Sequence, residues 1–266
     1  MKAYNPLIVT LKNIKASGQI ALCGYFLVGY PSPKVFYEMI RVGNQLDVIE
    51  FGIPSIDPRF DGPIISDAHK VVTVQRGMDA ETALALVGGL RNIPQPRFVM
   101  TYTQEGRALD GFLRMYVEHN IHGVLVPDIG PSEALYVASI ARSLHLAYIG
   151  FIAGAMAKED ILQKAEISDM IYAKASKGST GQMANIDEKL FDELSATIVL
   201  LRACKPDILI AMGIGIQHPG QVRQLAQLDI EMIIVGTKLM QCFELGEHAL
   251  VEYIQDLQKT TLRKME

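Results

Sequence analysis

An α/β architecture closed into a (β/α)8 barrel is the fold this sequence predicts, on three observations. Eight short apolar runs recur along the chain, most of them rich in Val and Ile without period-two alternation, as strands covered on both faces require. Helical patterns lie between them, and eight βα units in a row imply a closed parallel barrel of the TIM type. A chain of 266 residues with 49% hydrophobic and 20% charged residues can bury a core of that size in a single domain, residues 1-266, and no second domain is needed. An open, doubly wound sheet satisfies the same alternation, because periodicity does not report closure.

The strand candidates are residues 21–28, 46–51, 97–102, 123–126, 147–152, 170–173, 208–212 and 232–235. Helical patterns cover residues 33–42, 64–91 in one or two pieces, 109–118, 132–143, 158–164, 187–203, 219–228 and 238–258. Pro131-Ser132-Glu133 and Pro219-Gly220-Gln221 suit helix starts, where proline's missing N–H costs nothing. An extra helix is expected over about residues 5–17, and Glu247 to Glu266 reads as a terminal amphipathic helix.

The composition excludes several function classes. A formal net charge of -4 provides neither a basic field for nucleic acid nor a polybasic patch for a membrane. No apolar run reaches the roughly 18 residues of a spanning helix, and Met1 to Gly18 lacks a signal-peptide core. The expectation is a soluble, cytoplasmic protein. Cys23, Cys204 and Cys242 lack paired or metal-ligand spacing and read as reduced core thiols. The histidines, His69, His119, His122 and His218 among them, show no metal spacing, so no metal is expected. His69 and Lys70 read as solvated helix residues, and most methionines as core filling.

The chain is organised around Val48-Ile49-Glu50-Phe51-Gly52-Ile53-Pro54-Ser55-Ile56-Asp57-Pro58-Arg59-Phe60-Asp61-Gly62-Pro63. An apolar run places Glu50 near a strand end, inside a core where an ionised carboxylate is expensive and needs a partner or a task. A structural ion pair with Lys or Arg would satisfy it equally well. The prolines and glycines that follow fix a backbone able to aim Asp61 back toward Glu50, giving two carboxylates in different environments for acid and base work.

In such barrels the loops after the strands build the site. Ser176-Lys177-Gly178-Ser179-Thr180-Gly181 has the glycine and hydroxyl composition of a closing loop, or of a plain linker. Gly213-Ile214-Gly215-Ile216 follows strand seven, and Gly236-Thr237 follows strand eight just before a helix. Close backbone amides and a helix N-terminus there, with Gly181, can hold a phosphate without Lys or Arg.

The central stretch resembles the active-site signature of the tryptophan synthase α-subunit family, (I/L)-E-(L/F)-G-(V/I/F)-P-F-S-D-P-x-A-D-G-P, with Glu50 and Asp61 on its catalytic Glu and Asp. The similarity extends from about Gly24 to about Met240. Tyr102 matches the family's substrate-lining Tyr after strand three, Val126-Pro127-Asp128 resembles its L-V-P-D, and Tyr172 matches its Tyr on strand six. Thr180 matches the closing-loop threonine, and Gly181, Gly215, Gly236 and Thr237 match phosphate-site positions. The resemblance favours the closed barrel and implies a retro-aldol cleavage of indole-3-glycerol phosphate to indole and glyceraldehyde 3-phosphate. Glu50 would serve as acid and then base, Asp61 would receive the indole N–H, and Tyr25, Met100 and Ala153 would line the ring pocket.

Neither a metal nor an organic cofactor is implied. The partner implied is a tryptophan synthase β subunit in an α2β2 heterotetramer, with Asp57 at the coupling loop. The departures bear on that coupling. Ser55-Ile56 replaces Phe-Ser, and Arg59-Phe60 replaces a small or apolar pair. Tyr30 stands for a common Asp, Ala153-Gly154-Ala155-Met156 for a proline-containing run, and Ala175-Ser176 for Ser-Arg. The residues therefore also accommodate a stand-alone lyase, a paralogue on another phosphate ester, or a catalytically weak allosteric partner.

Overall fold

Eight strands close on themselves in a computed structural model that describes residues 4–104, 109–153, 156–174, 186–213 and 215–262, apart from the side chains of 109 and 110. The strands are β1 (Ala21–Leu27), β2 (Val48–Gly52), β3 (Arg97–Met100), β4 (Gly123–Leu125), β5 (Ala147–Ala153), β6 (Met170–Lys174), β7 (Leu209–Gly213) and β8 (Met232–Val235). Each pairs in parallel with its sequence neighbours, and β1 pairs with β8 to complete the ring. The open doubly wound sheet is thereby excluded. Side chains from β1, β2, β4, β7 and β8 are buried throughout, which is why their sequences do not alternate.

The helices in order are α1 (Pro6–Ala16), α2 (Pro33–Val42), α3 (Pro63–Lys70), α4 (Ala80–Gly88), α5 (Leu109–Glu118), α6 (Pro131–Ser143), α7 (Lys158–Ile167), α8 (Glu188–Cys204), α9 (Pro219–Leu225), α10 (Thr237–Glu244) and α11 (Glu247–Gln258). Proline opens α1, α2, α3, α6 and α9. Among the described residues no helix is long and apolar enough to cross a membrane.

Helix α1 covers the N-terminal end of the barrel. Its Leu7 and Leu11 are fully buried, and the Asn5 amide before it donates to the carbonyls of His122 and His145 at 2.8 and 2.9 Å. At the same end Glu231, 1% exposed, accepts from Lys15, from Arg202 Nη2 at 2.6 Å and from the Ile210 amide at 2.6 Å.

One open expectation is settled and three are corrected. The segment from residue 64 to 91, expected in one or two pieces, is two helices: α3 runs on through a π turn, Val71–Gln75, and α4 restarts at an Asp79 cap that accepts from the Thr82 amide. The segment from 238 to 258 is also two, because Gly246 adopts φ 116°, a conformation that stops α10 and that side-chain-bearing residues rarely take. The terminal helix ends at Gln258 rather than Glu266, and Leu262 then bridges antiparallel to Gln19. Cys23 and Cys242 are buried, but Cys204 is exposed, because it sits on the last turn of α8 rather than on its packed face.

Candidate active site

Strand ends position the site. Glu50 is the third residue of β2, flanked by Tyr25 on β1 and Phe98 on β3 in register. Tyr25 and Tyr172 reach across their neighbouring strands only because those strands end in glycine. A Cβ on Gly52 would lie 2.1 Å from the Tyr25 hydroxyl, and one on Gly213 would lie 2.2 Å from that of Tyr172. The two phenols therefore occupy the mouth of the barrel in place of side chains on β2 and β7.

Between them opens a cavity of about 540 Å³, counting its mouth. Its wall includes Tyr25, Met100, Tyr172, Asp61, Gly215, Gly236 and Thr237, which the sequence singled out. Gly215 adopts φ 74°, which turns the chain after β7 back toward the barrel mouth, while Gly236 and Thr237 stand at the start of α10. One end of the wall is therefore aromatic and acidic, and the other is glycine backbone and a helix N-terminus. Ala153 is half-buried at the end of β5 and is not part of the wall. Thr180 and Gly181, together with Ala175-Ser176, lie outside the described residues.

Glu50 differs from the ion-paired alternative. It is fully buried, neither carboxylate oxygen has a hydrogen-bond partner among the described residues, and burial, then the charge of Asp61, pushes its carboxyl well above the usual range. It is not among the residues that line the cavity. Asp61, by contrast, is in the wall and anchored: Tyr102 donates its O–H to Oδ2 at 2.8 Å. Burial, and then the adjacent Asp61 charge, holds the Tyr102 proton in place by raising its pKa.

Asp57 is on the rim, nearly half exposed, and paired with Arg59, whose Nε lies 3.0 Å from Oδ2. Ser55 is buried and its hydroxyl accepts from the Asp57 amide at 3.1 Å, so the altered loop residues shape the turn that carries Asp57. Ile56 beside them is 75% exposed.

Three further residues belong to the site. His69, expected to be solvated, is 1% exposed, because it shares the inward face of α3 with Ile65 and Ala68. Lys174, the last residue of β6, lines the cavity and donates to the Phe60 carbonyl across the mouth; burial lowers its pKa, while the Asp61 charge opposes the shift. Phe60 packs edge-on against Phe151 at 5.1 Å between ring centroids, closing the aromatic side of the cavity. Helix-face counting from Ile65 would place His69 on the same side, but which side of α3 packs inward is not written in the sequence. No pattern in the sequence marks Lys174, whose strand reads as ending one residue earlier.

A parallel barrel whose strand ends gather two unlike carboxyl groups and a glycine-walled helix start has the layout of an enzyme of the barrel class. The chain belongs to the family described as tryptophan synthase alpha chain, whose profile matches residues 11–266. The tryptophan synthase alpha chain of Methanosarcina acetivorans is 30% identical over 238 residues, covering 88% of this chain and 84% of that protein. That of Arabidopsis thaliana is 27% identical over 246 residues, covering 90% and 86%. A solved structure of Mycobacterium tuberculosis tryptophan synthase superposes with a TM-score of 0.86 at 25% identity, covering 98% of this chain and 99% of that one.

Proposed function

We propose that this chain is the lyase component of tryptophan biosynthesis: it cleaves indole-3-glycerol phosphate to indole and glyceraldehyde 3-phosphate and works with a tryptophan synthase β subunit. The observation that carries the reading is the pair of unlike carboxyl groups, Glu50 buried without a partner among the described residues and Asp61 fixed in the cavity wall.

The reaction moves two protons and breaks one carbon–carbon bond. The ring carbon that bears the glycerol chain takes a proton, and the hydroxyl on the adjoining chain carbon loses one. The bond between the two carbons then breaks, leaving indole and an aldehyde. Burial keeps a proton on Glu50 to higher pH than an ordinary glutamate, which suits it to deliver that proton first and then to accept the hydroxyl proton as base. Asp61 receives the ring N–H and stabilises the positive charge that protonation puts on the ring. Tyr25, Met100, Tyr172 and Phe151 flank the ring. Gly215, Gly236 and Thr237, with Gly181 and Thr180, hold the phosphate by backbone amides, hydroxyls and the α10 dipole. Asp57, on the exposed rim, is the coupling residue toward the β subunit. The cytoplasm is the compartment that fits such a biosynthetic enzyme.

Indole release from indole-3-glycerol phosphate by the purified chain, with and without a β subunit, tests the reading. Turnover that the β subunit stimulates is the expected result. Equal turnover without it favours a stand-alone lyase, and no turnover in either case overturns the proposal.

A further inference from the structure

Two side chains approach Asp61, Tyr102 and His69. Ile65 and His69, four apart on α3, share its buried face, and the loop just before the helix carries Asp61 into the cavity wall. His69 Nε2 lies 3.5 Å from Asp61 Oδ2, the oxygen that Tyr102 also donates to, and 3.4 Å from the Tyr25 hydroxyl. The Ser55 amide N–H donates to the other ring nitrogen, Nδ1, at 2.9 Å. A nitrogen that accepts a hydrogen bond carries no proton, so the neutral ring holds its proton on Nε2, where Asp61 and the Tyr25 oxygen are the acceptors. With the ring 1% exposed and the Asp61 side chain 8% exposed, water does not compete for these contacts. Among the described residues Asp61 Oδ2 accepts from Tyr102 and has His69 Nε2 at 3.5 Å, and no contact falls on Oδ1.

We propose that His69 is a positioning residue: its neutral Nε2–H, set by the Ser55 amide, and the Tyr102 hydroxyl together hold Asp61 with Oδ1 presented to the ring N–H of the substrate. The proposal rests on the reading that Asp61 receives that N–H. The Ser55 amide that selects the tautomer is itself buried, so the backbone of the loop after β2 fixes the histidine ring.

The test measures kcat and KM for indole release by the full chain with the β subunit, for His69→Leu and His69→Gln, each alone and combined with Asp61→Asn. Leucine removes both ring nitrogens, whereas glutamine returns an acceptor for the Ser55 amide and a donor for Asp61. His69→Leu is expected to lower kcat/KM about 30-fold, the size of one hydrogen bond to a charged group. His69→Gln should recover about tenfold of that loss, and in the Asp61→Asn background the leucine effect should shrink to about twofold or less. An undiminished leucine effect in that background, or a glutamine variant no better than leucine at equal melting temperature, would reduce His69 to packing. Wild-type turnover by Asp61→Asn itself would instead overturn the assignment of Asp61, and the role of His69 with it.

Discussion

Glu50 and Glu231 are buried to the same degree at opposite ends of one barrel, and their surroundings are opposite. Glu231, at the N-terminal end, is satisfied by Lys15, Arg202 and the Ile210 amide, and so ties α1 and α8 to the start of β8. Glu50, toward the C-terminal end, has no partner for either oxygen among the described residues. Burying a carboxylate without a partner costs several kcal/mol, a cost reduced by keeping the proton on. The satisfied glutamate contributes to stability and the unsatisfied one to chemistry, which is the division of labour between the two faces of such barrels.

The largest effect that would break this comparison is on turnover. Glu50→Gln should lower indole release by about 10³-fold, within the range of a lost acid–base group. The same change should not lower stability. The folded-state carboxyl titrates above its unfolded value, so its contribution is complete below about pH 4.3. The contribution is lost as pH rises from there through the raised folded-state value. Thermal unfolding of wild type and variant from acid to neutral pH should therefore show the variant gaining relative stability as pH rises. A variant that loses stability at neutral pH would contradict the absence of a partner.

At the other end, Glu231→Ala should cost about 3 kcal/mol, because two cations and a buried amide lose their acceptor. Turnover per folded molecule should not change. Denaturant unfolding paired with an activity assay reads both quantities, and a fall in kcat would show that the two ends are coupled.

A smaller effect sharpens the contrast within the site itself. Tyr102→Phe removes one donor from Asp61 and should lower kcat/KM about tenfold with a stability loss near 1 kcal/mol. The smallest effect belongs to the rim. Arg59→Ala breaks an exposed pair with Asp57, so the melting temperature and the turnover of the isolated chain should not move. Only the stimulation by added β subunit should change, and a titration of that subunit would show it.

The carboxylate pair was legible because Pro54, Pro58, Gly62 and Pro63 confine the loop that joins them, and because an acid in an apolar strand needs a reason. The barrel was legible from runs of Val and Ile that do not alternate, although only pairing of β1 with β8 proves closure. The surroundings of Asp61 were less legible. His69 stands beside Lys70 in a stretch that reads as solvated, and burial there is decided by which face of α3 packs against the barrel. Lys174 was hidden for another reason: its role depends on a carbonyl 114 residues away in the chain, a distance over which no local pattern reports. The break at Gly246 turns on one backbone angle that a lone glycine permits but does not impose.

The Lys174 bond to the Phe60 carbonyl joins the end of β6 to the loop after β2, elements on opposite sides of an eight-stranded ring. Both residues line the cavity, so the bond laces one side of the mouth to the other, with its two ends carried by distant parts of the chain.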